Sequence, residues 1–322
     1  MKMKMKMKNF KNLNCVILEK QDANSILELI NLTQPKIPWS HDYLEWQFFK
    51  CPDGPAIIYG IKNLEGKLLA IYCAVAKKIQ FYNEEIKGRM IQDVMTHPDY
   101  RGRGFLHLLS NICLGDLKKK NEFGYTFPNE KSENSFRRNN WTELCSIPIR
   151  IKSLKKNQEF RPKLEITNLD GNFPKSISSI WENSGIKIGV KRDAQFLNWR
   201  YNKPSTKYFK FILNLNEGFL ILKIFNERNK NFLHICDLVV REDKKQIILD
   251  ALQFSEYFGK INNCKFITSW SSKNHFYSEY YDNLDMNIIP ISRYGFVYFN
   301  NRFKNFKNSE MWYLSQGDSD VY

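Results

Sequence analysis

Residues 91–109 read IQDVMTHPDYRGRGFLHLL, and this stretch decides the fold of the chain. Its first residues are typical of a strand, a turn with Gly102 and Gly104 follows, and an apolar helix comes next. Glycines at a helix start leave backbone N–H groups unpaired where the helix dipole is positive, which favours an anion such as a pyrophosphate. The alternative is an ordinary tight turn with solvated arginines, but the closeness of Arg101 and Arg103 favours the anion site.

The same stretch resembles motif A of the GNAT superfamily of acyl-CoA N-acyltransferases, which reads hydrophobic-x-hydrophobic-x-Pro-x-Tyr-Arg-Gly-x-Gly-x-Gly/Ala. The matching residues are Val94, Thr96, Pro98, Tyr100, Arg101, Gly102 and Gly104. Leu106 stands where the family has its last Gly or Ala, and its Cβ could crowd a pyrophosphate at the entrance to the helix.

In that family, amides of the loop bind the CoA pyrophosphate, and the preceding strand pairs with the pantetheine arm. The resemblance therefore implies that acetyl-CoA or another acyl-CoA is the cosubstrate. It places the pyrophosphate beside Arg101, Gly102, Arg103, Gly104, Phe105 and Leu106. It places the pantetheine arm beside Val94, Met95 and Thr96.

Residues 129–141 resemble GNAT motif B, Asn-x-x-Ala-x-x-x-Tyr-x-Lys-x-Gly-Phe. The corresponding residues are Asn129, Ser132, Phe136, Arg138, Asn140 and Trp141. The resemblance implies that Asn129 and Phe136 contact the cofactor. Phe136 replaces a tyrosine that often protonates the leaving thiolate in the family. Tyr125, Ser135 or a bound water must then substitute, or the thiolate leaves unprotonated, which its pKa near about 8.5 allows.

Attack of an amine on a thioester needs a deprotonated amine, a donor for the developing oxyanion and a proton for the thiolate. The resemblance implies an exposed strand amide as the oxyanion donor, and Met95 is the candidate. Asp93 is the predicted base, because strand alternation would place it beside Ile91 and Met95, where apolar neighbours raise a carboxyl pKa. The alternative is a structural carboxylate bonded to backbone or to Arg89. His97 has a suitable pKa, but its place at the strand end also suits a loop residue.

The chain repeats an order of elements. Each half contains a helix with an aromatic-Leu-x-Trp motif, at residues 43–46 and 196–199, followed by a hairpin and a strand with Asp before an apolar residue. The alternative is chance similarity of short apolar runs. The order of predicted elements in the first half is that of a GNAT domain. We therefore predict an α/β (α+β) fold of two tandem GNAT-like domains, each a mixed, mostly antiparallel sheet flanked by helices. The predicted divisions are a disordered leader at 1–10, a GNAT domain with the CoA site at 11–154, and a degenerate GNAT-like domain at 155–322.

The second half lacks the glycine loop. Residues 241–246, which follow its corresponding strand, read REDKKQ, without a glycine. Side chains there would block close approach of a phosphate, and Glu242 and Asp243 would repel it. We therefore expect one cofactor site in the chain, in the first half.

Two further features point to the acceptor. Trp-Arg-Tyr at residues 199–201 and Gly-Asp-Ser-Asp at residues 317–320 resemble tandem GNAT proteins of bacterial surface-glycan biosynthesis. That resemblance implies a small-molecule amine acceptor, a nucleotide-linked amino sugar. Asp318 and Asp320 either lead carboxylates into the cleft between the halves and bind the substrate, or lie in a solvated tail.

Composition narrows the class of protein further. The 322 residues carry a net charge of +15, which suits polyanionic ligands such as CoA phosphates and nucleotide sugars. Nucleic acid is not an expected partner, because no recognition motif is present. The chain has no apolar run of about 18 residues, as a membrane span would require. The oligomeric state is left open.

The seven cysteines show no CxxC spacing and lie in apolar segments. They are predicted to be buried thiols in a reducing compartment, without disulfides or zinc, and the five histidines are too scattered for a metal site. We therefore expect a cytoplasmic protein. Two other functions remain open: a catalytically inactive CoA- or sugar-binding protein with the GNAT fold, and an aminoacyl-tRNA-dependent transferase.

Overall fold

The two halves of the chain contain the same succession of helices and strands. The computed structural model describes residues 12–155, 163–271, 275–298 and 308–319. The first half consists of β1 (Leu13–Leu18), α1 (Ala23–Thr33), α2 (His41–Phe48), β2 (Ile57–Asn63), β3 (Leu68–Phe81), β4 (Glu84–Thr96), α3 (Phe105–Lys120), β5 (Phe123–Thr126), α4 (Glu130–Arg138) and β6 (Thr142–Ser153). The predicted leader and Asp320 lie outside the described residues.

The second half repeats this order with one additional strand, β8. It consists of β7 (Ile166–Asn168), α5 (Ser178–Glu182), β8 (Ile188–Val190), α6 (Ala194–Arg200), β9 (Phe209–Leu213), β10 (Gly218–Glu227), β11 (Lys230–Val240), α7 (Ile247–Ile261), β12 (Phe266–Trp270), α8 (Tyr277–Asn283) and β13 (Asn287–Tyr298). The repeated order supports a duplication over a chance similarity of apolar runs.

Local signals in the sequence account for several element boundaries. Helix α2 begins where the Ser40 Oγ accepts a hydrogen bond from the Tyr43 amide at 3.2 Å, which satisfies one of the unpaired amides of the first turn. The β2–β3 hairpin turns at Gly66, whose φ is 81°. Asn140 follows α4 with a φ of 61°, the left-handed conformation that the glycine of the family motif would adopt.

All these strands join one mixed sheet. Its order is β1-β2-β3-β4-β5-β13-β6-β12-β11-β10-β9-β7, and β8 pairs with β3. The β4–β5 and β11–β12 pairs are parallel, and the other pairs are antiparallel. The predicted fold class, a mixed and mostly antiparallel sheet with flanking helices, is confirmed.

The last strand of each half pairs with the other half. Strand β13 pairs with β5, and β6 pairs with β12. The predicted division at residues 154/155 falls just after β6, so a cut there would leave an exchanged strand on each side. Backbone donors and acceptors pair with whichever strand edge is adjacent in space, so chain order does not decide this arrangement.

The repeated aromatic-Leu-x-Trp motif forms a contact between the halves. The rings of Trp46 and Trp199 stack with centroids 5.0 Å apart. Each indole N–H donates to the carbonyl of the other tryptophan, from Trp46 at 2.7 Å and from Trp199 at 2.9 Å. The two copies of the motif are therefore partners in one nearly symmetric contact that joins α2 to α6.

A buried ion-pair network holds the segment 312–319 inside the protein. The Arg192 guanidinium is fully buried and donates to Asp318 at 2.8 Å and to Asp237 at 3.2 Å. It also donates to the Ser315 hydroxyl at 3.0 Å. The alternative of a solvated tail is therefore wrong for Asp318, because a buried guanidinium needs these acceptors to offset its lost hydration.

The described residues bear on the expectations for cysteines, metals and membranes. Cys15 is exposed on β1, so the prediction that every cysteine is buried is wrong at this position. In the described ranges, no group of His, Cys, Asp and Glu side chains is arranged to hold a metal ion. Every helix in these ranges is too short or too polar to cross a bilayer.

Candidate functional site

Strand β4 contains a β-bulge beside the phosphate loop. Ile71 of β3 faces Met95, but the pairing resumes with Cys73 opposite Gln92. Two β4 residues, at positions 93 and 94, therefore oppose a single residue of β3. Asp93 adopts a left-handed φ of 48°. A bulge inserts an extra residue into one strand and redirects the side chains and amides that follow it.

The bulge breaks the alternation of side chains between the two faces of β4. The predicted surroundings of Asp93 depended on that alternation. Ile91 packs with the core beneath α3, whereas Met95 packs with the core beneath α1. There the Thr33 hydroxyl donates to the Met95 sulfur at 3.0 Å. The two residues lie on opposite faces, so the prediction that Asp93 shares one face with both is wrong. The Asp93 carboxylate instead accepts a hydrogen bond from Gln92 Nε2 at 3.0 Å.

A slot opens where β4 and β5 diverge. Their parallel pairing ends at Ile91 and Thr126, where the Thr126 hydroxyl donates to the Ile91 carbonyl at 2.9 Å. Beyond that point the pairing of β4 continues with β3 alone, within the described residues. An open strand edge of this kind can pair with an extended amide-containing ligand as it would with another strand.

The ladder between β3 and β4 decides which amides face the slot. The His97 amide donates to the Leu69 carbonyl at 2.8 Å. Because donors alternate along a regular antiparallel pair, the Met95 amide also points into β3, and the Thr96 amide points into the slot. The assignment of the Met95 amide as oxyanion donor is therefore corrected. Thr96, a predicted contact of the pantetheine arm, presents an outward amide, and Val94, which lies within the bulge, remains a predicted contact of the arm.

The glycine loop is open at the start of α3. Gly102 and Gly104 have φ values of 76° and 82°, and empty space surrounds the position that a Cβ would take at each. At the start of α3, the Leu108 amide donates to the Gly104 carbonyl, one turn earlier, at 3.1 Å. For the Leu106 and His107 amides, the described structure contains no acceptor. These amides and the positive end of the helix dipole are suited to a phosphate.

The loop forms one wall of an open cleft of about 470 Å³. Ser135 and Arg138 of α4, with Asn139 directly after the helix, form the opposite wall, and His107 bonds to Asn139 across it. Leu106 lines this cleft and is partly exposed, so its side chain does not fill the bend. The sequence analysis did not predict that these residues would line the cleft, although Arg138 stands at the basic position of motif B.

Two arginines of the loop extend the positive surface around the cleft. Arg101 and Arg103 are both exposed and line it. The Arg103 guanidinium lies 4.7 Å from the centre of the Tyr100 ring and donates to the Asp99 carbonyl at 3.4 Å. Phe105, also predicted to contact the cofactor, begins α3 at the cleft wall with its side chain buried.

Three other predicted site residues have structural roles. His97 is buried, and its Nδ1 accepts from the Asp99 amide at 3.3 Å, which stabilises the turn before the loop. The Asn129 side chain caps α4 and accepts from two backbone amides at 3.1 Å. Phe136 is buried against Trp141. Contrary to the prediction, Asn129 and Phe136 do not line the cleft.

Tyr125 lies at the closed end of the slot. It pairs in register with Met90, one residue before the strands diverge. Its side chain is 3% exposed, and its hydroxyl has no hydrogen-bond partner among the described residues. Burial raises the pKa of the Tyr125 hydroxyl well above its ordinary value. A hydroxyl with a raised pKa is a weak proton donor toward a thiolate, so the geometry favours a hydrogen-bonding role over that of an acid.

Asp318 reaches the space between the halves, but its carboxylate is already bonded. Besides Arg192, it accepts from the Ser315 amide at 2.9 Å. Its predicted role in binding substrate is therefore corrected to that of a buried anchor for the chain terminus. Because both carboxylate oxygens have protein partners, an acceptor amine would have to compete with a fully buried guanidinium.

The corresponding slot in the second half is closed. Its β11 also contains a bulge, and its parallel pairing with β12 also ends before it. The outward amides of Leu238 and Val240 donate to the hydroxyls of Tyr313 at 3.3 Å and Tyr277 at 3.0 Å. Tyrosine hydroxyls therefore occupy the edge that remains open on β4. This agrees with a single cofactor site in the chain.

Comparison with known proteins finds a family match in the first half. Residues 18–142 match the sequence model of the acetyltransferase (GNAT) domain. These residues are thus similar to a GNAT acetyltransferase domain, and they make up less than half of the chain. The match includes the bulged strand, the glycine loop and α4, and so covers the whole of the open site. It supports an acyl-CoA-dependent N-acyltransferase, the predicted class of enzyme. No curated protein matches the sequence.

Solved structures extend the likeness to both halves. One similar structure is an Enterococcus faecalis protein described as a "Probable N-Acyltransferase", with 15% identity, a TM-score of 0.68, and coverage of 88% of this chain and 71% of that one. Another is a GCN5-related N-acetyltransferase from Anabaena variabilis, with 11% identity, a TM-score of 0.68, and coverage of 88% and 72%. A third is Saccharomyces cerevisiae N-myristoyltransferase with bound myristoyl-CoA, with 8% identity, a TM-score of 0.60, and coverage of 89% and 83%. At these identities the likeness shows the fold alone.

Proposed function

We propose that this protein transfers an acetyl group from acetyl-CoA to the primary amine of a nucleotide-linked amino sugar. The reaction would take place in the cytoplasm and serve the synthesis of a surface glycan. The observation that carries the transferase part is the open slot of β4, which leads away from an open phosphate loop. The same edge in the second half is sealed by tyrosine hydroxyls, so the opening is a specific property of the GNAT domain.

The residues around the slot would have different roles in the reaction. Amides of the glycine loop and of the first turn of α3 would bind the CoA diphosphate, with the exposed arginines adding charge. The outward amide of Thr96 would pair with the pantetheine arm, with Val94 beside it, and an amide of this edge would donate to the thioester oxygen as charge develops there. Asp93, which accepts from Gln92 beside the slot, remains the proposed base that removes the amine proton.

Departure of the thiolate needs no side-chain acid in this proposal. A thiol has a pKa of about 8.5, so its anion is a tolerable leaving group near neutral pH, and solvent can protonate it afterwards. The burial of Tyr125 and Phe136 fits this route. The same burial also favours the second candidate function, a GNAT-fold protein that binds CoA without turnover.

The acceptor is proposed from the second half of the chain. Its Trp-Arg-Tyr motif and its C-terminal Gly-Asp meet in one network, in which Arg200 Nε donates to the Gly317 carbonyl at 2.9 Å and the Tyr201 hydroxyl bonds to Asp237. The two sequence features that resemble surface-glycan proteins are thus physically linked here, which supports reading them together. The net charge of +15 also suits an anionic nucleotide.

Two measurements separate the candidate functions. Acetyl-CoA at millimolar concentration is expected to raise the melting temperature, because a ligand that binds the folded state stabilises it. Release of free CoA is then assayed with nucleotide-linked amino sugars, with the matching nucleotide-linked neutral sugars as controls. Release that requires the amine supports the transferase. A thermal shift without release supports the binding protein, and the lack of both contradicts an acyl-CoA site.

A further inference from the structure

Lys77 of β3 is a buried lysine whose ammonium lies over two aromatic rings. Its side chain is 7% exposed. Its Nζ lies 4.0 Å from the centre of the Trp199 ring and 5.3 Å from that of Phe196. Within the described residues, no hydrogen bond or ion pair to Nζ is present, and burial lowers the pKa of Lys77. Rings favour a cation over their faces, but they offer no acceptor to its three N–H groups.

Two carboxylates act electrostatically on the Lys77 ammonium, and both are bonded to other groups. The charges of Asp53 and Asp318 act on Lys77. Asp53 accepts from the Lys78 amide at 2.9 Å and lies 3.7 Å from the Lys78 ammonium. Asp318 is bonded to Arg192. Desolvating an ammonium without a hydrogen-bonded counter-ion is costly, and the part of the chain that the structure describes supplies no such acceptor to Lys77.

The same small cavity holds a second polar group without a partner. Lys77, Gln92 and Tyr125 line it together, and the buried Tyr125 hydroxyl has no partner in the ranges that the structure describes. Its volume of about 20 Å³ has room for roughly one water-sized group. It lies where β4 and β5 diverge, on the side of the sheet that faces α1 and α2 rather than the phosphate loop. Because Tyr125 also stands at the closed end of the slot, a ligand group at that end would lie next to this cavity.

We infer that Lys77 and Tyr125 form a subsite for a carboxylate group at the inner end of the acyl-transfer slot. A carboxylate oxygen can accept from both side chains at once and neutralises the ammonium. The cavity has room for one oxygen of a carboxylate, with the rest of the group in the slot, and is too small for a phosphate. This inference rests on the proposed function in one respect, since the slot is taken to be the path of acyl-CoA. The carboxylate can belong to the acceptor amine or to the acyl group.

Thermal shifts with matched probes test the subsite without requiring turnover. For the acceptor, γ-aminobutyrate is compared with n-butylamine, and for the acyl group, succinyl-CoA is compared with acetyl-CoA. Each pair differs by one carboxylate. We expect one carboxylate-bearing probe to raise the melting temperature of the wild type more than its partner does. The pair that shows the difference identifies the source of the carboxylate.

Lys77→Met, which keeps much of the packing against Trp199, and Tyr125→Phe, which removes only the hydroxyl oxygen, are expected to abolish that difference. The control is Lys223→Met. Lys223 is also partly buried with a lowered pKa, but it lies over Tyr208 and Phe225, outside the cavity. The difference should survive in this control.

Equal shifts from both members of both pairs in the wild type would overturn the inference. A difference that persists in Lys77→Met and Tyr125→Phe would overturn it as well. Failure of the proposed function is a separate result, because acetyl-CoA would then neither shift the wild type nor release CoA, whereas the γ-aminobutyrate comparison could still show the subsite. If either variant is unfolded by circular dichroism, the other one decides.

Discussion

Gly104→Ala is the substitution that examines the phosphate loop most directly. Gly104 precedes α3 with a φ of 82°, and no atom lies within 4 Å of the position that a Cβ would occupy. The added methyl group meets no neighbour, so the cost is the left-handed conformation of an L-residue, about 1–2 kcal/mol. In a domain of about 150–250 residues, each kcal/mol shifts the melting temperature by about 2–4 °C.

The same substitution should weaken CoA binding. Its methyl group stands in the cleft where the α3 amides would meet the diphosphate, and relief of the strain would turn those amides away. We expect the dissociation constant for CoA, measured by isothermal titration calorimetry, to rise at least about tenfold, which corresponds to about 1.4 kcal/mol. Urea denaturation of the free protein measures the accompanying loss of stability.

Gly115→Ala is the matched control in the same helix. Gly115 has ordinary helical geometry and also has no atom within 4 Å of an added Cβ. Alanine there should stabilise the protein by about 0.5–1 kcal/mol and leave CoA affinity unchanged. The reasoning is refuted if Gly104→Ala loses stability as expected but binds CoA as the wild type does, because the loop amides would then not be the diphosphate site.

Three further predictions concern the second half of the chain. Asp318→Ala leaves the buried Arg192 with fewer acceptors and should lower the free energy of unfolding by about 3–5 kcal/mol in urea; a loss below about 1 kcal/mol would contradict the anchoring role. Burial lowers the pKa of His234 to about 3 and that of His275 to about 4. Below about pH 6.5 the unfolded state therefore binds more protons than the folded state. The free energy of unfolding then falls by up to about 1.4 kcal/mol per pH unit for each histidine. Denaturation at pH 7 and pH 5 should show this loss, and His275→Gln should reduce it; an unchanged slope would argue against a buried neutral histidine. Tyr313→Phe should lower the free energy of unfolding by about 1–3 kcal/mol, because it leaves an amide of the second slot unpaired. Calorimetry should still find one CoA bound per chain. A stoichiometry of two would show that the second slot is open.

Much of the fold was readable from local sequence signals. The apolar helix predicted after the glycine turn is α3, Phe105–Lys120, because its apolar period and the preceding glycines both act within a few residues. The glycine-rich bend, the cap at Ser40 and the left-handed Asn140 depend equally on neighbours in the chain. The glycine bend before α3 was therefore predicted correctly, and its role as a phosphate site remains a prediction.

Local sequence signals did not predict how the candidate catalytic residues are arranged. The faces of Asp93 and Met95 were assigned from strict alternation, which the bulge opposite Tyr72 breaks. A bulge arises from the register of β4 against β3, and that register depends on how residues distant in sequence pack. Lys77 carried no signal either, because its position over Trp199 brings together two halves of the chain.

The amino-acid sequence by itself determined the succession of helices and strands, the duplication and the open bend before α3, since each of these follows from interactions between residues close together in the chain. Tertiary structure alone decided the exchange of β6 and β13, the burial of Asp318 and the closing of the second slot. Those features pair groups that are far apart in sequence, and burial selects among such pairs only when the whole sheet is assembled.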